Sequence, residues 1–171
     1  MYFTVGHPLG YPLNFPKGYK SNSPTNHPIC LFEVGNKIIE LSLDEVTFWS
    51  AIKHDTKLKE THVHLQKNLK SCLQKGVLLH ENTEIEMFRT LKNYRIARQG
   101  GGNILESRSI LLGENAFSIS KISNYIWYFS NGLRNVAEVF EICNSSLNQQ
   151  LTIIKFLEEL EKLNGGFVFL L

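Results

Sequence analysis

The periodicity of this chain predicts an α+β fold: two tandem winged-helix-type units, each a hairpin plus helices, behind an irregular Pro-rich N-terminal arm. Three observations predict it. Apolar residues alternate over short stretches at 31–41 and 110–119, with Gly35-Asn36 and Gly113-Glu114-Asn115 as turns. After each stretch the apolar period changes to that of a helix. The stretches also match at a constant offset of 78: Gly35 on Gly113, Ile39 on Phe117, Leu41 on Ile119, Ser42 on Ser120, Phe48 on Ile126 and Trp49 on Trp127. The chain has 2 tryptophans, and both fall at the same place in this alignment.

The arm comes first. All 5 prolines, Pro8, Pro12, Pro16, Pro24 and Pro28, lie in residues 1–28. Proline fixes φ and lacks an N–H donor, so an irregular, extended arm is expected, draped over its own domain or partly disordered; the alternative is that Tyr2, Phe3, Tyr11 and Phe15 anchor it on a partner subunit. The first unit then spans 29–99. Leu31 to Val34 and Ile39 to Leu41 form its hairpin, and Ser42-Leu43-Asp44-Glu45 is a capping-box signature that starts a helix at Leu43. That helix carries Val46, Phe48, Trp49 and Ile52 inward. A later helix with Leu65, Leu69 and Cys72 ends at Gly76, before the apolar Val77-Leu78-Leu79. Glu84 to Arg98 reads as a basic trailing helix, and Gly100-Gly101-Gly102 as a linker.

The second unit spans 103–171. Ile110–Leu112 and the alternating Phe117 and Ile119 predict a hairpin with one buried face. Ile122, Tyr125, Ile126 and Phe129 predict a helix closed by Gly132, and Val136, Val139, Phe140 and Cys143 predict the next. A third helix is expected over Asn148 to Leu163. Its core stripe is Ile153, Phe156, Leu157, Leu160 and Leu163; Leu151 and Ile154 fall outside that stripe, with Glu158 between them. Large aliphatic residues off the core stripe imply a second contact: a bound segment, the other unit or a homodimer partner.

These residues carry a resemblance. The apolar strand, turn and short strand ending in Ser, then Ile126-Trp127, Phe129, Gly132 and Val136-Ala137-Glu138-Val139 resemble the PqqD-like family, across roughly residues 103–171. Such domains are recognition elements that hold the leader part of a ribosomally made precursor peptide. The resemblance implies a non-catalytic protein of peptide natural-product or bacteriocin biosynthesis, which presents that leader to a modifying enzyme. It places the peptide along Asn115, Ala116, Phe117, Ser118 and Ile119 and against the third helix, where the off-stripe Leu151 and Ile154, with Glu158 between them, independently supply the contact. Strand addition of this kind uses main-chain hydrogen bonds for affinity and neighbouring pockets for selectivity.

Composition narrows the alternatives. At 43% hydrophobic and 20% charged residues the chain can bury a core. The net charge of +2 is too small to argue for nucleic acid alone, although residues 36–99 carry eleven Lys/Arg against eight Asp/Glu, and residues 100–171 five against seven. A DNA-binding regulator is therefore the alternative reading, resting on Lys57, Lys59, Lys67 and Lys70. Cys30, Cys72 and Cys143 are odd in number, with Cys72 and Cys143 on apolar stripes as buried thiols. The start lacks an apolar signal region and no run approaches about 18 apolar residues, so no membrane association and a cytoplasmic location are expected. His54, His62, His64 and His80 lack ligand spacing, and Glu158-Glu159 with Glu161 read as a solvated face beside Lys155 and Lys162. No catalytic residue, metal site or cofactor is predicted.

Overall fold

The computed structural model describes residues 1–10, 29–52, 63–100, 109–112, 114–147 and 150–171. The chain is α+β and divides into two compact units, Tyr2–Leu79 and His80–Leu171, with Met1 grouped with the latter.

The N-terminal unit contains β1 (Tyr2–Thr4), β2 (His7–Gly10), β3 (Ile29–Val34), β4 (Lys37–Ser42), α1 (Leu43–Ile52), α2 (Val63–Lys75) and β5 (Leu78–His80). Strands β2, β3 and β4 pair antiparallel in that order, and β1 pairs with β5. The Gly35-Asn36 turn and the capping box at Ser42 form as the sequence predicts: Ser42 N–H donates to Glu45 Oε2 at 2.7 Å and Glu45 N–H to Ser42 Oγ at 3.3 Å. Phe32, Leu41, Phe48, Trp49, Ile52, Cys72 and Val77 build the core. Trp49 stacks edge-on against Phe32 with centroids 5.0 Å apart, and its indole N–H donates to the Val77 carbonyl at 3.0 Å. A buried indole nitrogen needs such an acceptor.

The C-terminal unit contains α3 (Glu84–Leu91), β6 (Arg95–Arg98), β7 (Ser109–Leu112), β8 (Asn115–Ser118), α4 (Lys121–Phe129), β9 (Asn131–Asn135), α5 (Val136–Ser146), α6 (Ile153–Leu163) and β10 (Val168–Leu170). Among the described residues β6 lies between β10 and β9, while β7 and β8 form a separate hairpin. The rings of Phe88, Phe140 and Phe156 meet at centroid distances of 5.3 to 6.3 Å and join α3, α5 and α6. Trp127 is 1% exposed; its indole N–H donates to the Gln99 carbonyl at 2.8 Å, and the Arg98 guanidinium lies 4.8 Å above its ring. Arg98 also donates to the Tyr128 carbonyl at 2.8 Å, and Arg134 to the Phe129 carbonyl at 3.3 Å. Two cations thus serve the carbonyl end of α4, where the helix dipole favours positive charge.

Four expectations change. The start of the chain is not irregular: Tyr2–Thr4 and His7–Gly10 are strands, and Phe3 and Val5 are buried. Val5 N–H donates to the Val77 carbonyl at 3.0 Å, so pairing with the end of the unit orders residues that proline content alone marks as irregular. The aromatic residues Tyr11 and Phe15 lie outside the described residues. Second, the units divide at Leu79/His80 and not at the glycine run. The predicted trailing helix stops at Leu91, and Arg95–Arg98 is a strand whose Ile96 is fully buried. Its backbone pairs with β10 and β9 on its two sides, which a helix could not do. Third, a short strand, β9, separates α4 from α5 where only a glycine turn was expected. Fourth, α6 begins at Ile153, five residues after the expected Asn148, because Thr152 caps it by accepting from Lys155 N–H.

Candidate functional site

Strand β8 carries four of the predicted site residues, Asn115, Ala116, Phe117 and Ser118. It pairs with β7 alone among the described residues, in the register Leu112↔Asn115, Leu111↔Ala116, Ile110↔Phe117 and Ser109↔Ser118. The first of those pairs brackets a two-residue connection, and such a flanking pair exchanges both backbone hydrogen bonds. Hydrogen-bonded and open pairs then alternate. Asn115 and Phe117 face β7, and Ala116 and Ser118 turn their N–H and C=O groups outward. No described residue bonds those outward groups.

All four residues of β8 are exposed, which corrects the expectation of a buried face on this strand. Phe117 is 43% exposed and meets Phe167 edge-on at a centroid distance of 5.2 Å. Ile110, opposite it, is fully buried, so β7 supplies the hairpin's contribution to the core. Ile119 follows the strand and is half-buried.

Helix α6 is tied to the end of this strand through Glu159. Its carboxylate is buried at 2% residue exposure and accepts at Oε2 from the hydroxyls of Ser120 and Ser123, the latter at 2.6 Å. At Oε1 it meets Lys162 at 2.7 Å and Lys155 at 3.3 Å. Burial pushes this carboxyl upward, but the Lys162 bond, the two serine hydroxyls and the Lys162 charge outweigh it and hold it at about 2. A buried carboxylate is tolerated only when its charge and lone pairs are met, and here both oxygens are. Ser120 is also the cap of α4, accepting from Ser123 N–H at 3.0 Å. This overturns the solvated face expected for Glu159 from its lysine neighbours. The usable signal was a serine cap at Ser120 with Ser123 three residues on, and lysines flanking Glu159 at positions 155 and 162.

The predicted helix contacts separate. Ile154 is 49% exposed and Glu158 is exposed, paired with Lys155 at 3.0 Å, so both lie on the open face of α6. Leu151 does not. It precedes the Thr152 cap, is 5% exposed, and its N–H donates to Asn144 Oδ1 at 2.9 Å. Its placement on a helix face assumed a helix from Asn148. With the cap at Thr152, Leu151 takes the position of a hydrophobic staple, whose partner position is the buried Phe156.

Elsewhere, the candidates for other chemistry are sparse. No group of three His, Cys, Asp or Glu suited to a metal occurs among the described residues. His54 and His62 lie outside them. Cys72 and Cys143 are buried and free, and burial pushes each thiol up to about 12, far from a reactive thiolate. Lys67 and Lys70 are exposed on α2, while Lys57 and Lys59 fall outside the described residues. No helix is long and apolar enough to cross a membrane among the described residues. No protein-family model matches the chain, and neither a curated protein nor a solved structure matches it.

Proposed function

We propose that the C-terminal unit binds an extended peptide by strand addition at β8, and that its cargo is the leader of a ribosomally made precursor presented to a modifying enzyme in the cytoplasm. The chain is then a non-catalytic adaptor of PqqD-like character, its two units diverged winged-helix-type copies. One observation carries it: the outward N–H and C=O groups of Ala116 and Ser118, on an exposed strand held to α6 through Ser120 and Glu159. An edge of this kind is a template for another segment of chain. Main-chain pairing there supplies affinity, and Phe117 with Ile154 supplies apolar surface for ligand side chains.

The test is titration of a fluorescently labelled peptide, taken from a short open reading frame beside the gene, against the wild type and two variants. Ile154→Glu weakens binding at least about tenfold, roughly 1.4 kcal/mol, because it places charge where an apolar side chain docks. Lys67→Glu, in the other unit, leaves affinity unchanged. Equal affinities for wild type and Ile154→Glu would remove α6 from the site.

A further inference from the structure

Strand β4 of the N-terminal unit stands where β8 stands in the C-terminal one, second in a hairpin and immediately before a helix. Its register, Val34↔Lys37 around Gly35-Asn36, turns the Glu40 carbonyl away from β3, just as Ser118 turns its own away from β7. There the likeness ends. Lys75, the last residue of α2, donates from Nζ to the Glu40 carbonyl at 2.9 Å while pairing with Glu45 Oε2 at 2.7 Å. Glu45 is itself fixed: its side chain is 8% exposed, and it accepts from Ser42 N–H and the Ser71 hydroxyl. Burial pushes its carboxyl upward, and the Lys75 bond leads the contacts that bring it below the ordinary carboxylate range. The lysine is therefore held from one side by a carboxylate with nowhere else to turn, and fills an edge acceptor on the other.

Among its described residues the C-terminal unit has no counterpart. Helix α6 ends in Leu163-Asn164-Gly165, and Lys162, the nearest cation on it, is bonded to Glu159 within the helix. Position 165 is a glycine at φ +71, with no side chain to reach an edge.

We propose that Lys75 guards the β4 edge, occupying the acceptor an added strand needs, so that of the two corresponding hairpin strands only β8 stays open to strand addition. The proposal rests on the reading of β8 as the peptide edge. Lysines placed at strand edges oppose pairing in general, because an added strand must displace a strongly hydrated or ion-paired ammonium. Here displacement also strips a buried carboxylate of its cation, which makes the guard harder to remove than a surface lysine.

The experiment is amide hydrogen exchange on the full chain with and without a blocked alternating threonine–valine peptide, comparing residues 37–42 with residues 115–118. The wild type is expected to gain protection at 115–118 only. Lys75→Met, which keeps the apolar stem and removes the donor, gains protection at 37–42 as well, with exchange slowed by about tenfold. Glu45→Gln/Lys75→Met removes both charges together and decides the matter if the single variant unfolds around an unpaired Glu45. Protection of 37–42 in the wild type, or none there in either variant, overturns the guard. Protection of 37–42 in the variants with none at 115–118 in any protein upholds the guard and defeats the β8 reading.

Discussion

Gly6 and Gly100 share a positive φ, +96 and +90, each one residue after a backbone amide that pairs with the end of its own unit. Val5 N–H donates to the Val77 carbonyl, and Gln99 N–H to the Phe167 carbonyl. A Cβ on Gly6 would lie 3.2 Å from the Glu33 carbonyl oxygen and 2.8 Å from Val34 Cγ2; on Gly100 it would lie 2.5 Å from the Leu111 oxygen and 3.1 Å from Ile110 Cγ2. Glu33 and Leu111 are partners in the offset that aligns the two hairpins. Both glycines let a strand turn closely past the hairpin that follows it.

Gly100→Ala is accordingly expected to destabilise the protein by about 1–3 kcal/mol, through the left-handed backbone and the clash with the Leu111 carbonyl. Gly35→Ala provides the comparison. Gly35 sits at φ +59 with nothing within 4 Å of its Cβ position, so only the conformational cost, about 1 kcal/mol, applies. Urea midpoints of the two variants against the wild type measure the difference. Equal losses would show that the close approach to Leu111 costs nothing.

The Glu159 network makes a prediction about pH. Its carboxyl is held at about 2 in the folded protein against an ordinary 4.5. A lowered folded-state value means that the contribution to stability is fully present above the ordinary value and is lost as pH falls from there toward 2. Thermal denaturation of the wild type should therefore show a falling midpoint below about pH 4.5. Glu159→Gln should be less stable at neutral pH and show a shallower acid fall. Glu45, also lowered, contributes in the same direction and leaves a residual slope in that variant.

Leu151 and Ile154 should behave oppositely despite their spacing. Leu151→Ala empties a buried position and is expected to cost about 2–5 kcal/mol, whereas Ile154→Ala, at an exposed one, should fall within about 0.5 kcal/mol of wild type. Chemical denaturation of both variants checks this. A stable Leu151→Ala protein would return Leu151 to the surface and to the candidate site.

The two indole bonds are open to the same approach. Trp127→Phe removes the donor to the Gln99 carbonyl and leaves a gap beneath Arg98, and Trp49→Phe removes the donor to Val77. Each is expected to destabilise by at least about 1 kcal/mol, the loss of one buried hydrogen bond, with packing loss added. Because the chain has 2 tryptophans, each variant leaves a single fluorophore that reports on one unit during unfolding.

Local patterns in the sequence determined the elements whose causes are themselves local. The Gly35-Asn36 turn, the Ser42–Glu45 capping box and the apolar stripe of α6 are written in consecutive residues and appear as read. Trp49, read as inward on its helix, is buried, and so is Trp127, 78 residues on. Tertiary structure decided the rest. Tyr2–Thr4 became a strand because the distant β5 offered a partner, and Arg95–Arg98 left its helical pattern because β9 and β10 flank it. Glu159 was drawn inward by Ser120 and Ser123, which lie more than thirty residues away in sequence. At the candidate site, the alternation of apolar residues located β8 but not its exposure or its outward-facing backbone groups. Leu151 moved from groove to core when Thr152 set the start of α6. Nothing in the sequence near Lys75 pointed to the Glu40 carbonyl, because a long flexible side chain takes its partner from whatever the fold places within reach.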